Sequence, residues 1–178
     1  MGRFWAALYW CRRVDYLLWL EDTPFSIWMR ESGPAFFGSL IFHSVAMGFV
    51  VGVHVAINLR ILGMAPGIPL SLMRRFFPVL WIGLVVVSLS GVLLLIAYPA
   101  KALTNPVFYL KLSAIMIALF ITRSLAKGVL QDPGYDAERA PRRARVLAVL
   151  SLFLWAGAVT SGRFLAYTYR ILMASHGF

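Results

Sequence analysis

The chain is expected to fold as an all-α, four-helix transmembrane bundle preceded by an N-terminal interfacial amphipathic helix. Three observations lead there. Of 178 residues, 61% are hydrophobic and only 13% charged, and mean hydropathy is +0.79. So few polar groups cannot cover the surface of a soluble domain, and so much hydrophobicity excludes intrinsic disorder. The apolar residues fall into four long stretches, each long enough to cross a bilayer at ~20 residues per span. Finally, the charges are lopsided, 17 Lys+Arg against 7 Asp+Glu, yet they do not cluster on a polar, foldable module. That argues against nucleic acid as the partner and for the lipid bilayer.

The first thirty residues do not read as a cleavable signal. Arg12, Arg13 and Asp15 break the apolar run, and no small-residue cleavage site follows it. Trp5, Tyr9, Trp10, Tyr16 and Trp19, mixed with arginine, suit a helix lying in the headgroup region, so residues 1–34 are taken as an interfacial segment and 35–178 as the transmembrane domain. The single Cys11 allows no intrachain disulfide.

The first span is expected at about 35–59, inside a charge-free stretch running from Ser32 to Leu59. The second is expected at about 76–97, ended by Tyr98-Pro99. Asn105-Pro106 is a helix start, an N-cap followed by proline in the first turn, so the third runs from 106 to about 127. After the polar loop 131–144, the fourth runs from about 145 to 171. Basic residues set the orientation. Arg60, Arg74 and Arg75 flank the first connection, and Arg123, Lys127, Arg139, Arg142, Arg143 and Arg145 flank the third, whereas the second holds only Lys101. The first and third connections are thus expected in the cytoplasm, with both termini periplasmic.

Ionisable residues inside a membrane are costly and usually face the bundle interior. Four qualify. His43 and His54 share one face of the first span, eleven residues or ~16 Å apart. Lys111 lies in the third span and Arg163 in the fourth, both at the depth of His43. A histidine in a bundle can ligate haem iron, so His43 is the candidate metal ligand, and Lys111 and Arg163 could neutralise haem propionates or a quinone oxygen. His54 could belong to a second site. Three histidines, one of them His176, cannot supply two bis-histidine haems. The plainer alternatives are hydrogen bonds from both histidines to helix neighbours, and snorkelling of Lys111 and Arg163 to the interface. Gly48 and Gly52 form Gly-x-x-x-Gly near the opposite face, a pattern that permits close helix approach. The methionines show no metal-ligand spacing, and Arg142-Arg143-x-Arg145 reads first as a topogenic cluster and second as an attraction for anionic lipid.

The run Trp19-Leu20-Glu21-x-Thr23-Pro24-x-Ser26, Arg30-Glu31-Ser32, His43, Gly52 and Leu59-Arg60-x-Leu62-Gly63 resembles a widespread bacterial family of small four-span membrane proteins of unknown function. Phe77-Pro78, Gly91, Asn105-Pro106-x-Phe108 and Lys111 also match, over about residues 17–125, while Asn58 stands where the family usually has an acid. More distantly, the arrangement of His43, Arg60 and Lys111 is similar to HemJ-type protoporphyrinogen oxidases, and to membrane domains of copper-resistance D proteins. The HemJ resemblance implies a haem b or porphyrin role for His43 and Lys111. Three functions are therefore expected in order. The first is a redox subunit of the bacterial inner membrane, holding one b-type haem or a quinone near its outer face and working in electron transport. The second is a cofactor-free accessory subunit of a larger respiratory or photosynthetic complex. The third is a HemJ-like oxidase or metal transporter.

Overall fold

The computed structural model describes residues 15–128 and 140–175, and among these every regular element is a helix. Most of the aromatic N-terminal stretch with Cys11, most of the 131–144 loop and His176 lie outside the described residues. The elements are α1 (Pro24–Glu31), α2 (Gly33–Ile61), α3 (Leu70–Met73), α4 (Phe77–Ala97), α5 (Pro99–Leu103), α6 (Pro106–Gly128) and α7 (Arg142–Ser175). A helical stretch at 15–21 precedes α1. Helices α2, α4, α6 and residues Arg142–Leu165 of α7 are long and apolar enough to cross a membrane, so the chain is a multi-pass, all-α membrane protein. The spans lie where they were expected, with α2 and α7 each starting two or three residues earlier. At 29 residues α2 is ~44 Å long, more than the ~30 Å hydrocarbon core, and so extends beyond it or tilts.

Local chemistry sets the helix ends. Gly63 follows α2 at φ +87°, a left-handed conformation that favours glycine. From there Gly63 N–H donates to the Arg60 carbonyl (3.0 Å) and Met64 N–H to Leu59 (3.1 Å), closing the helix in a Schellman motif. The buried Arg60 side chain then donates through Nε to the Ile68 carbonyl and pins the connection. Asn105 caps α6 as its sequence suggests, its Oδ1 accepting from Val107 N–H at 3.0 Å.

The N-terminal segment is fastened to one end of the bundle as well as being aromatic. Glu21 Oε1 accepts from Ala100 N–H, in the first turn of α5, at 3.1 Å. Arg30 donates to the Glu21 carbonyl at 2.9 Å, and buried Ser26 donates to the Ile96 carbonyl at 2.8 Å. Met29 is buried, while Trp19, Phe25 and Trp28 are exposed, which fits rings at the lipid–water boundary.

Helix α4 packs on α2, α2 on α7, and α7 on α6; no contact of like extent joins α4 to α6. That side is closed by side chains. Val50, Ala118 and Trp155 are buried at the centre, with Leu84 and Ile115 against them, so all four spans contribute. A second cluster, including Ile57, Ile61, Ile121, Leu125, Ala144 and Ala148, fills the end nearest the basic residues. Large side chains such as Phe42, Phe49, Ile82, Met116 and Phe120 point outward, as lipid-facing residues must. Lipid tails are as apolar as these side chains, so tight packing, not burial from water, holds the helices together.

Gly48 and Gly52 do not supply the close approach within the chain. A Cβ on either would meet nothing within 4 Å, and both line an open apolar groove of about 480 Å³ with Phe49, Val53, Ala56 and Phe76. The close approach is at Gly83 of α4, where a Cβ would come within 2.9 Å of Val50 Cγ2. Gly83→Ala is therefore expected to destabilise the protein by about 1–3 kcal/mol, whereas Gly48→Ala and Gly52→Ala leave the monomer unchanged. Unfolding in mixed detergent micelles checks both.

Candidate functional site in the membrane domain

Two polar clusters lie inside the spans. The first is near the end of the bundle that carries the 98–105 connection. His43 of α2 faces α4, with Nδ1 3.1 Å from the Val87 carbonyl and 3.2 Å from Ser90 Oγ. A carbonyl only accepts, so the Nδ1 proton lies there. Ser90 spends its own proton on the Val86 carbonyl at 2.6 Å and can accept from His43. The tautomer follows: a neutral His43 carries its proton on Nδ1, and Nε2 keeps a lone pair. A histidine poised as a ligand or proton acceptor is held in this way. Gly91 makes room for the ring, since a Cβ there would lie 3.2 Å from His43 Cε1.

Lys111 of α6 is half-buried and faces α7. Its ammonium lies against Gly162, 3.5 Å from where a Cβ would stand. Glycines on two helices thus accommodate the two polar side chains. Arg163 does not join them. It follows Gly162 and so shares the level of Lys111, but one residue is a 100° turn of the helix, and its side chain is exposed on the outer surface. Of the three residues expected at one depth, His43 and Lys111 are half-buried and Arg163 is exposed.

The second cluster lies about three turns further along α2. His54 is fully buried, and its Nδ1 donates to the Val50 carbonyl at 2.7 Å. Its ring sits 4.5 Å from that of Trp155 at 46°. Both His54 Nε2 and Trp155 Nε1 are buried without a hydrogen-bond partner, one an acceptor and the other a donor. One turn on, Asn58 Nδ2 donates to Ser151 Oγ at 3.1 Å, between two fully buried side chains. The two histidines share a stripe of α2 but meet different helices, His43 the Val87 and Ser90 turn of α4 and His54 the Trp155 ring of α7. They cannot ligate one iron.

Ser90, Gly91 and Gly162 at the first cluster, and Asn58, Ser151 and Trp155 at the second, were not singled out as functional from sequence. Gly91 and Asn58 entered the sequence reading only through the family resemblance, the first as a match and the second as a departure. A polar residue every turn along an apolar span was the available signal. Among the described residues no three His, Cys, Asp or Glu side chains come together, so they provide no multidentate ligand set for a bare metal ion. That does not bear on haem, whose iron needs only axial ligands. No protein-family model, curated protein or solved structure matches the chain.

Proposed function

We propose that this protein is a small membrane subunit of an electron-transfer system, with His43 and Lys111 forming a site for a quinone headgroup. Two half-buried polar side chains on different helices support the reading, His43 with Nδ1 tied to Val87 and Ser90, and Lys111 against Gly162. A quinone bound there would supply two-electron, two-proton redox chemistry. Lys111 would donate to a quinone oxygen. His43 Nε2, freed by the Val87 and Ser90 contacts, would accept and return a proton. Val87 and Ser90 would hold the ring through both states.

A b-type haem is the alternative occupant. His43 Nε2 would hold its iron and Lys111 would stand beside a propionate. His54, three turns away and packed on Trp155 of α7, would not reach the same iron. The surplus of Lys and Arg around the first and third connections supports a reading in which that end lies in the cytoplasm of a bacterial inner membrane, with the 98–105 end and both termini periplasmic. Kinship with the bacterial four-span family, and distantly with HemJ-type oxidases and copper-resistance D domains, would suit such a site.

Organic extraction and a reduced-minus-oxidised spectrum of the purified protein test the proposal. Near-stoichiometric quinone, lost in His43→Ala, is the expected result. A b-type band lost in the same variant would move the site to haem. Fully folded protein with neither would contradict it. The second reading, an accessory subunit of a respiratory or photosynthetic complex, is favoured by the open Gly48–Gly52 groove, and stoichiometric partners in native-membrane pull-downs would support it.

A further inference from the structure

A second groove, of about 580 Å³, runs along the start of α7. Arg142 and Arg145 line its head, Val146, Val149 and Phe153 its length, and Leu62 of the α2 end one wall. The α7 residues fall at i, i+3, i+4, i+7 and i+11, one continuous stripe of the helix. The stripe changes character along its length. Its first turn is cationic, and the next two turns are purely apolar over ~12 Å from Arg145 to Phe153. The apolar part is open to the outside, with Val146 and Phe153 well exposed. Arg145 Nε is buried and has no hydrogen-bond partner. The N-terminus of a 34-residue helix adds its own preference for negative charge at the same place.

We infer that this groove binds an anionic glycerophospholipid, its phosphate held by Arg142 and Arg145 and an acyl chain lying along Val146, Val149 and Phe153. The match is one of charge and polarity order. A span entering the bilayer meets headgroups first and acyl chains next, and the groove presents guanidinium and then aliphatic and aromatic surface in that order. Bidentate guanidinium suits a phosphodiester, and an excess negative headgroup charge distinguishes phosphatidylglycerol from phosphatidylcholine, which carries its own cation. Arg143 lies off the groove and serves as the internal control for bulk charge.

Native mass spectrometry of the full chain released from detergent, titrated with dioleoyl phosphatidylglycerol or dioleoyl phosphatidylcholine, tests the site. Phosphatidylglycerol is expected to bind about tenfold or more tightly than phosphatidylcholine. Arg142→Gln/Arg145→Gln should remove most of that preference, and Arg143→Gln should keep it. Phe153→Ala, which spares both arginines, gives an independent reading and should weaken the long-chain lipid more than a dihexanoyl analogue. Equal binding of the two lipids would overturn the inference. So would a double variant within twofold of the wild type, or equal losses of long- and short-chain lipid in Phe153→Ala. Competition by inorganic phosphate as effective as that by phosphatidylglycerol would reduce the site to one for free anions. A dimer that excludes the lipid would give the groove to a second copy of the chain.

Discussion

Trp155→Ala is expected to lower the unfolding free energy by roughly 3 kcal/mol, among the largest effects of any single substitution in the membrane domain. Trp155 is 1% exposed and stands where Val50 and Ala118 meet, with Leu84 and Ile115 adjoining. Removing the indole leaves a cavity bordered by four helices that cannot all close on it. Hydrocarbon solvent lessens the transfer contribution, but the lost contacts remain lost. Trp155→Phe separates volume from polarity. It keeps most of the packing and deletes the unpartnered Nε1–H, so it should be nearly neutral or slightly stabilising. Unfolding of both variants in mixed micelles, followed by far-UV circular dichroism, checks the pair. A large loss in Trp155→Phe would show that the indole N–H has a partner in the membrane.

The second large effect concerns binding. With the reduced quinol as ligand, Lys111→Met should weaken affinity by about ten- to a hundredfold, the usual contribution of a charge-assisted hydrogen bond. His43→Ala should weaken it by about tenfold, through the loss of a neutral acceptor. Gly91→Ala is a subtler probe. It leaves both groups in place but puts a methyl 3.2 Å from His43 Cε1, so the ring must shift from Val87 and Ser90. Its effect should fall on binding and leave stability close to the wild type. Arg163→Gln should change neither, because that side chain lies outside the cluster. Titration of a short-chain quinol into protein in nanodiscs checks all four.

The four spans were legible in the sequence because charge-free length is a nearly sufficient condition for crossing a bilayer. Asn105-Pro106 marked a helix start for the same local reason that Asn105 caps α6 in the structure. The site was half legible. His43 and Lys111 stood out as costly residues inside apolar runs, and counting turns from the helix ends placed them at one depth. Counting turns does not give rotation. Arg163 shares that depth yet faces outward, because one residue rotates a side chain by 100°. Nor does a motif say which surface it serves. Gly48 and Gly52 suggested a close contact, and the contact formed instead at Gly83, where α4 crosses Val50. The His54–Trp155 and Asn58–Ser151 pairs depend on which helix lies beside α2, a tertiary fact with no local signature.

Whether His43 and Lys111 serve one site is decided most directly by a double-mutant cycle. Quinol affinity is measured for the wild type, His43→Ala, Lys111→Met and the double variant in nanodiscs. Two groups acting on one bound headgroup should be coupled, with the double variant losing clearly less than the product of the two single losses. Strict multiplication of the two losses, or no loss in any variant, would show that the residues act apart and that the paired site does not exist.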